Sequence, residues 1–175
     1  MEVSKDRLTA ATFEELAMPL FDQLYNFAQW LTQDRAEAED LVQETYTKAL
    51  KGFSSFQIGT NFRAWMYKIL RNSFLTSRTG LKTIVELNDE DEPALAVQEN
   101  PETFIIQRTQ QELVQQAIEQ LPIQFREVLL LCELQEMSYQ EVSEALAIPI
   151  GTVMSRLSRA RKALRSSLGQ KLAGK

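Results

Sequence analysis

The chain has 175 residues, 44% of them hydrophobic, and a formal net charge of −5. That length allows one medium domain or two small ones. Its single cysteine excludes a disulfide framework and fits a reducing compartment, while the lack of histidine excludes imidazole bases and histidine-held metals.

Six glycines, five prolines and few β-branched runs predict a mostly helical protein. Residues 12–32 set Leu16, Leu20, Leu24, Phe27, Ala28 and Leu31 at helical spacing, which predicts a first helix. Asp34 to Leu50 reads as a second, with Leu41, Val42, Thr45, Tyr46 and Ala49 on its apolar side. Gly52 to Gly59 predicts a loop holding two phenylalanines. Thr60 is the expected cap of a third helix running through Ser73 or beyond, with Phe62, Trp65, Met66, Ile69 and Ser73 on one face. Phe62 and Trp65 are expected to be core residues, because they align with Met66 and Ile69.

From about Gly80 to Pro101 the helical pattern fails, and the run Asn88 to Pro93 is acidic. This predicts a flexible linker between two helical domains. The expected division is a domain over 1–85, an acidic linker over 86–102 and a second domain over 103–175. The pattern resumes with Phe104, Ile105, Leu113, Ala117, Ile118 and Leu121. Pro122 fits the first turn of a helix packing through Phe125, Val128, Leu129, Leu131 and Cys132. Ser138 and Glu141 form an S-x-x-E capping box for a helix burying Val142, Ala145 and Leu146. Ala147-Ile148-Pro149 turns the chain into a final helix.

Charge is segregated along this order. Residues 45–85 hold seven basic and no acidic groups, as do residues 145–175, whereas 86–102 hold seven acidic and no basic ones. Blocks of opposite sign predict separate surfaces for separate partners. In the final helix Val153, Leu157, Ala160, Leu164 and Leu168 fall within an arc of about 80° at 100° per residue. Ser155, Ser158, Arg159 and Lys162 fall opposite. Such a helix docks on its own domain and offers its other face to a DNA groove, where arginine reads guanine and serine reads several bases. Thr152 is placed for a phosphate near the helix start, and Arg156, Arg161 and Arg165 flank the reading face to hold the backbone.

The stretch from Leu121 to Leu168, LPIQFREVLLLCELQEMSYQEVSEALAIPIGTVMSRLSRARKALRSSL, resembles region 4 of the extracytoplasmic-function sigma factors of bacterial RNA polymerase. DLVQETYTKAL and FRAWMYKILRN resemble region 2 of the same family. The resemblance implies an all-α protein of two domains, region 4 reading the −35 promoter element and region 2 reading and opening the −10 element. Opening DNA this way needs no nucleotide hydrolysis if the melted strand is bound more tightly than the duplex. Pocketing a base is worth ~1–3 kcal/mol and offsets the cost of unstacking it. Lys48, Lys51, Arg63, Lys68, Arg71, Arg78 and Lys82 supply a cationic path. By resemblance, Gly52, Phe53 and Phe56 belong to the loop that pockets an extruded −10 base, and Asn72 takes the position that hydrogen-bonds one. Asp40, Leu41, Gln43 and Glu44 belong to the helix that docks on the clamp of the β′ subunit, and the helix from Pro122 to Leu134 helps dock the flap of the β subunit.

Two positions depart from the family pattern. Ala147 stands where glycine is common in the helix-turn-helix turn, and a left-handed backbone there costs alanine on the order of 1 kcal/mol. Met154 stands where lysine or arginine is frequent, which implies an altered −35 preference. The expected partners are promoter DNA, core RNA polymerase and an anti-sigma factor, with no small-molecule substrate, cofactor or metal. No nucleotide-binding fingerprint is present, and Cys132 sits in an apolar helix, so an enzyme is not expected. No signal peptide or membrane-spanning run is seen, which predicts a soluble cytoplasmic protein. Two other classes share some of these features: a sigma mimic that binds an anti-sigma factor, and a stand-alone helix-turn-helix regulator.

Overall fold

A computed structural model of the chain describes residues 12–79 and 110–173; the linker, Lys82, Phe104 and Ile105 lie outside them. Among the described residues all regular structure is helical, apart from one isolated bridge between Ile58 and Thr60. The all-α, two-domain architecture is as expected.

The first predicted helix is interrupted. Residues 12–17 are helical, Met18–Leu20 tighten into a 3-10 turn, and helix α1 spans Phe21–Thr32. Pro19 sits in that turn and has no N–H to continue the helical ladder. Of the residues at helical spacing Leu16 is 40% exposed, while Leu24, Phe27, Ala28 and Leu31 are buried. Helix α2 spans Arg35–Gly52 and is capped by Asp34, whose carboxylate accepts the Glu37 N–H at 2.9 Å. Leu41, Val42 and Ala49 are buried, and the buried Thr45 hydroxyl is satisfied by donating to the Leu41 carbonyl at 2.7 Å.

Gly52 ends α2 rather than opening a loop, and Phe53–Ser55 form a further 3-10 turn. Phe53 is drawn into the core, edge-on to Phe13 and Phe62 with ring centroids 5.3 and 6.1 Å away. Helix α3 spans Phe62–Thr79. Its cap is Asn61 and not Thr60: the Asn61 Oδ1 accepts the Ala64 N–H at 3.0 Å, while the Thr60 hydroxyl turns back to the Gln57 carbonyl.

In the second domain, α4 spans Gln110–Glu119, α5 spans Ile123–Leu129 and a π-helical turn covers Leu130–Leu134. Pro122 caps α5 from one position earlier than expected. The open carbonyls at the end of α4 are met by Arg126, which donates to Ile118, Glu119 and Leu121. Helix α6 spans Tyr139–Leu146 with both halves of the Ser138–Glu141 capping box formed. Its C-cap Ala147 is left-handed, φ 54° and ψ 45°, and α7 follows over Ile150–Ala173.

The two domains are packed together. Their buried apolar residues join into one cluster, and α3 lies along α6.

Candidate nucleic-acid interface

Helix α7 is divided as its periodicity requires. Val153, Leu157 and Ala160 are buried against the rest of the domain, and Leu164 packs partly on the same core. Ser158, Arg159 and Lys162 are exposed on the other side, with Thr152, Ser155 and Arg156 half-exposed at its edge. Met154 is 52% exposed, so an apolar thioether stands on the presented surface. Arg161 is held by Glu133 of the π turn, which fixes it beside the reading face. The Ser143 hydroxyl donates to the Ile148 carbonyl at 2.6 Å and braces the turn between α6 and α7.

The second basic segment builds a different surface. Phe56 and Trp65 lie with ring centroids 5.0 Å apart, and Phe62 contacts both. These rings are half-buried, so Phe62 and Trp65 serve the edge of the core as expected, and Phe56 and Trp65 also wall a cavity of about 250 Å³. The cavity is lined further by Ser55, Gln57, Thr60, Asn61, Ala64 and Lys68, and by Glu144 from the other domain. Gly52 lies behind it, where an added Cβ would sit 3.7 Å from the Trp65 ring, so its smallness is not sterically demanded. Lys68 and Asn72 are exposed on α3.

Arg63 and Arg71, on the same helix, face the second domain instead of solvent. Arg63 donates to the Gln135 carbonyl. Arg71 forks onto Glu127 at 2.9 and 3.1 Å and donates to the Leu146 carbonyl at 3.1 Å. Glu127 is only 2% exposed. Burial pushes its pKa up, and the facing Arg71 pulls it back, with a weaker pull from Arg156. Nothing local in the sequence marks this pair, whose members stand 56 positions apart.

A third surface lies on α2. Asp40, Gln43 and Glu44 are exposed, whereas Leu41 is buried and reaches the surface only as a wall of an open cavity of about 260 Å³. Asp40, Glu44 and Glu37 line that cavity, with Phe74 and Arg78 from α3. Arg78 pairs with Glu37 at 2.7 Å, and Lys48 with Glu44 at 2.7 Å, so two cations of the basic segment are engaged by α2. Cys132 is half-buried, and burial with the neighbouring Glu133 carboxylate raises its thiol pKa, leaving it protonated at neutral pH.

Comparison with known proteins gives the same two-part division. A model described as Sigma-70 region 2 matches residues 16–82, and one described as Sigma-70, region 4 matches residues 111–164. The chain is 30% identical over 171 residues to the ECF RNA polymerase sigma factor SigE of Mycolicibacterium smegmatis, covering 97% of this chain and 66% of that protein. It is 31% identical over 156 residues to the ECF RNA polymerase sigma factor SigW of Bacillus subtilis, covering 84% and 83% of the two chains. Among solved structures, the sigma factor RpoE in complex with the anti-sigma factor NepR, from Bartonella quintana, superposes with a TM-score of 0.67 at 27% identity. That match covers 90% of this chain and 97% of the other.

Proposed function

The chain belongs to the ECF sigma factors of RNA polymerase, a promoter-directing family, and on that premise we propose which surfaces read the promoter. The outer face of α7 reads the −35 element: Ser158 and Arg159 with Ser155 reach base edges, Lys162 and Arg156 hold the backbone, and Thr152 takes a phosphate. The −10 element is read and opened by α3 and the aromatic cavity. Phe56 and Trp65, with Gly52 behind them, receive an extruded base, Asn72 hydrogen-bonds another, and Arg63, Lys68 and Arg71 track the strand. The exposed α2 face of Asp40, Gln43 and Glu44, with Leu41 beneath it, docks on core polymerase. The domains extend over 1–85 and 103–175, joined by the acidic segment 86–102.

The observation that carries this reading is the split of α7, with Val153, Leu157 and Ala160 buried and Ser158, Arg159 and Lys162 exposed. The protein works as a cytoplasmic transcription initiation factor without catalysis or a cofactor of its own, under the control of an anti-sigma factor like the one bound by its structural neighbour. Runoff transcription with bacterial core polymerase on a pool of genomic promoters tests the proposal. Defined transcripts that need this chain, and that vanish with Arg159→Ala, are the expected result. Binding to core without transcripts would sink the −10 and −35 assignments, and no binding to core would favour a mimic or a stand-alone regulator.

A further inference from the structure

The surface assigned to the −10 strand is covered by the chain's own second domain. Four of the contacts across the seam use the −10 face or its border. Asn61, at the cavity mouth, donates to the Glu141 carboxylate at 3.0 Å. Arg63 is spent on the Gln135 carbonyl. Arg71 is spent on Glu127 and the last carbonyl of α6. Glu144 stands at the rim of the aromatic cavity with Lys68. The groups facing these cations are carboxylates and carbonyls, the same chemistry that DNA phosphates and base edges would present.

We propose that the free chain latches itself shut, with α6 and the turn before it acting as an acidic stand-in for the −10 strand and the Arg71–Glu127 pair as the central catch. This rests on the reading of α3 as the −10 surface. A strand entering the cavity must displace Glu144 and Glu141, and it gains Arg71 only when Glu127 gives it up. Arg71 is 17% and Glu127 2% exposed at their side chains, so neither can serve DNA while the seam is closed. The outer face of α7 is unaffected: Ser158, Arg159 and Lys162 remain exposed in the closed chain. The device is therefore one-sided. The closed chain keeps its −35 surface available and withholds its −10 surface.

The seam is also built to open. Arg63 Nε is buried in it without a hydrogen-bond partner among the described residues, which weakens closure. Opening returns Glu127 to the influence of Arg156, already its second cationic neighbour. Separation of the domains on core polymerase would thus free the −10 face without stranding a charge.

The far corner of the seam offers a lock that touches none of the DNA-facing residues, because Gln33 at the end of α1 donates to the Glu119 carbonyl at 3.2 Å. The full chain carrying Cys132→Ser, Gln33→Cys and Glu119→Cys is joined there with a reducible bismaleimide. Binding of a short fluorescent single-stranded DNA of randomised sequence is followed by anisotropy at low salt, before and after reduction. The same polypeptide is compared with itself, so folding is held constant. We expect the locked chain to bind about tenfold more weakly than the reduced chain, or worse, as a binding-competent fraction driven toward zero demands. Undiminished binding by the locked chain overturns the latch. Equal failure of both forms, with transcription by core polymerase also insensitive to Lys68→Ala and Asn72→Ala, overturns the −10 reading beneath it. In parallel, Arg71→Ala should enlarge the radius of gyration in solution scattering; an unchanged radius overturns the role of the ion pair.

Discussion

Ala147 links helix geometry to stability in a way that can be measured directly. It closes α6 with φ 54° and ψ 45°, and its N–H donates to the Ser143 carbonyl. A left-handed backbone crowds the Cβ of an L-residue at a cost of about 1–2 kcal/mol. Glycine at this position removes that cost but loses about 0.5–1 kcal/mol through the greater freedom of the unfolded chain. The Ala147 side chain is exposed, so no packing is given up. Ala147→Gly should therefore stabilise the protein by roughly 0.5–1 kcal/mol. For a chain of this length, that is a rise in Tm of about 1–4 °C. Urea unfolding followed by circular dichroism, with thermal melts alongside, measures both. Ala147→Val should move the other way by more, since a β-branched side chain is worse placed at positive φ. The turn already has the left-handed shape, so the glycine variant should keep the promoter preference of the parent. If Ala147→Gly lowers stability while Ala147→Val is neutral, the argument from backbone strain fails.

Three further outcomes are expected. Loss of charge at Arg156 or Lys162 should weaken −35 binding by the holoenzyme and reduce the slope of log K against log salt by about one per phosphate contact removed, with little change in melting temperature; an unchanged salt slope for both variants would place the phosphates elsewhere. The Glu141 carboxyl is held below its ordinary value of 4.5, first by the Asn61 amide, next by the Ser138 N–H and more weakly by Arg63. Its contribution is thus fully present above about pH 4.5 and is lost as pH falls through the lowered value. The stability difference between the parent and Glu141→Gln should shrink on acidification from pH 7 to 3, isolating Glu141 from Glu127, whose raised pKa acts in the opposite sense. Cys132, with its raised thiol pKa, should be alkylated by iodoacetamide several-fold more slowly than a small-molecule thiol at neutral pH; equal rates would contradict its burial.

What the sequence determined by itself is what neighbours along the chain decide. Ser138 could be read as a cap because it bonds a backbone N–H three residues ahead. The two faces of α7 followed from helical period, since burial of Val153, Leu157 and Ala160 places Ser158 and Arg159 outside. The paired motifs of regions 2 and 4 carried the family. Where two local options competed, the reading erred by a residue: Asn61 took the cap expected of Thr60, and Pro19 split a helix whose apolar spacing ran through it. Only the tertiary structure decided what depends on residues far apart in the chain. Arg63 meets the Gln135 carbonyl across 72 positions, and Glu127 meets Arg71 across 56. Neither contact leaves a periodic or spaced signal, because a buried ion pair needs only that two surfaces come together at one point. The basic segment could be seen as a nucleic-acid surface from its composition. That Arg63 and Arg71 are turned inward, onto the Gln135 carbonyl and the Glu127 carboxylate of the other domain, follows from how the two domains pack.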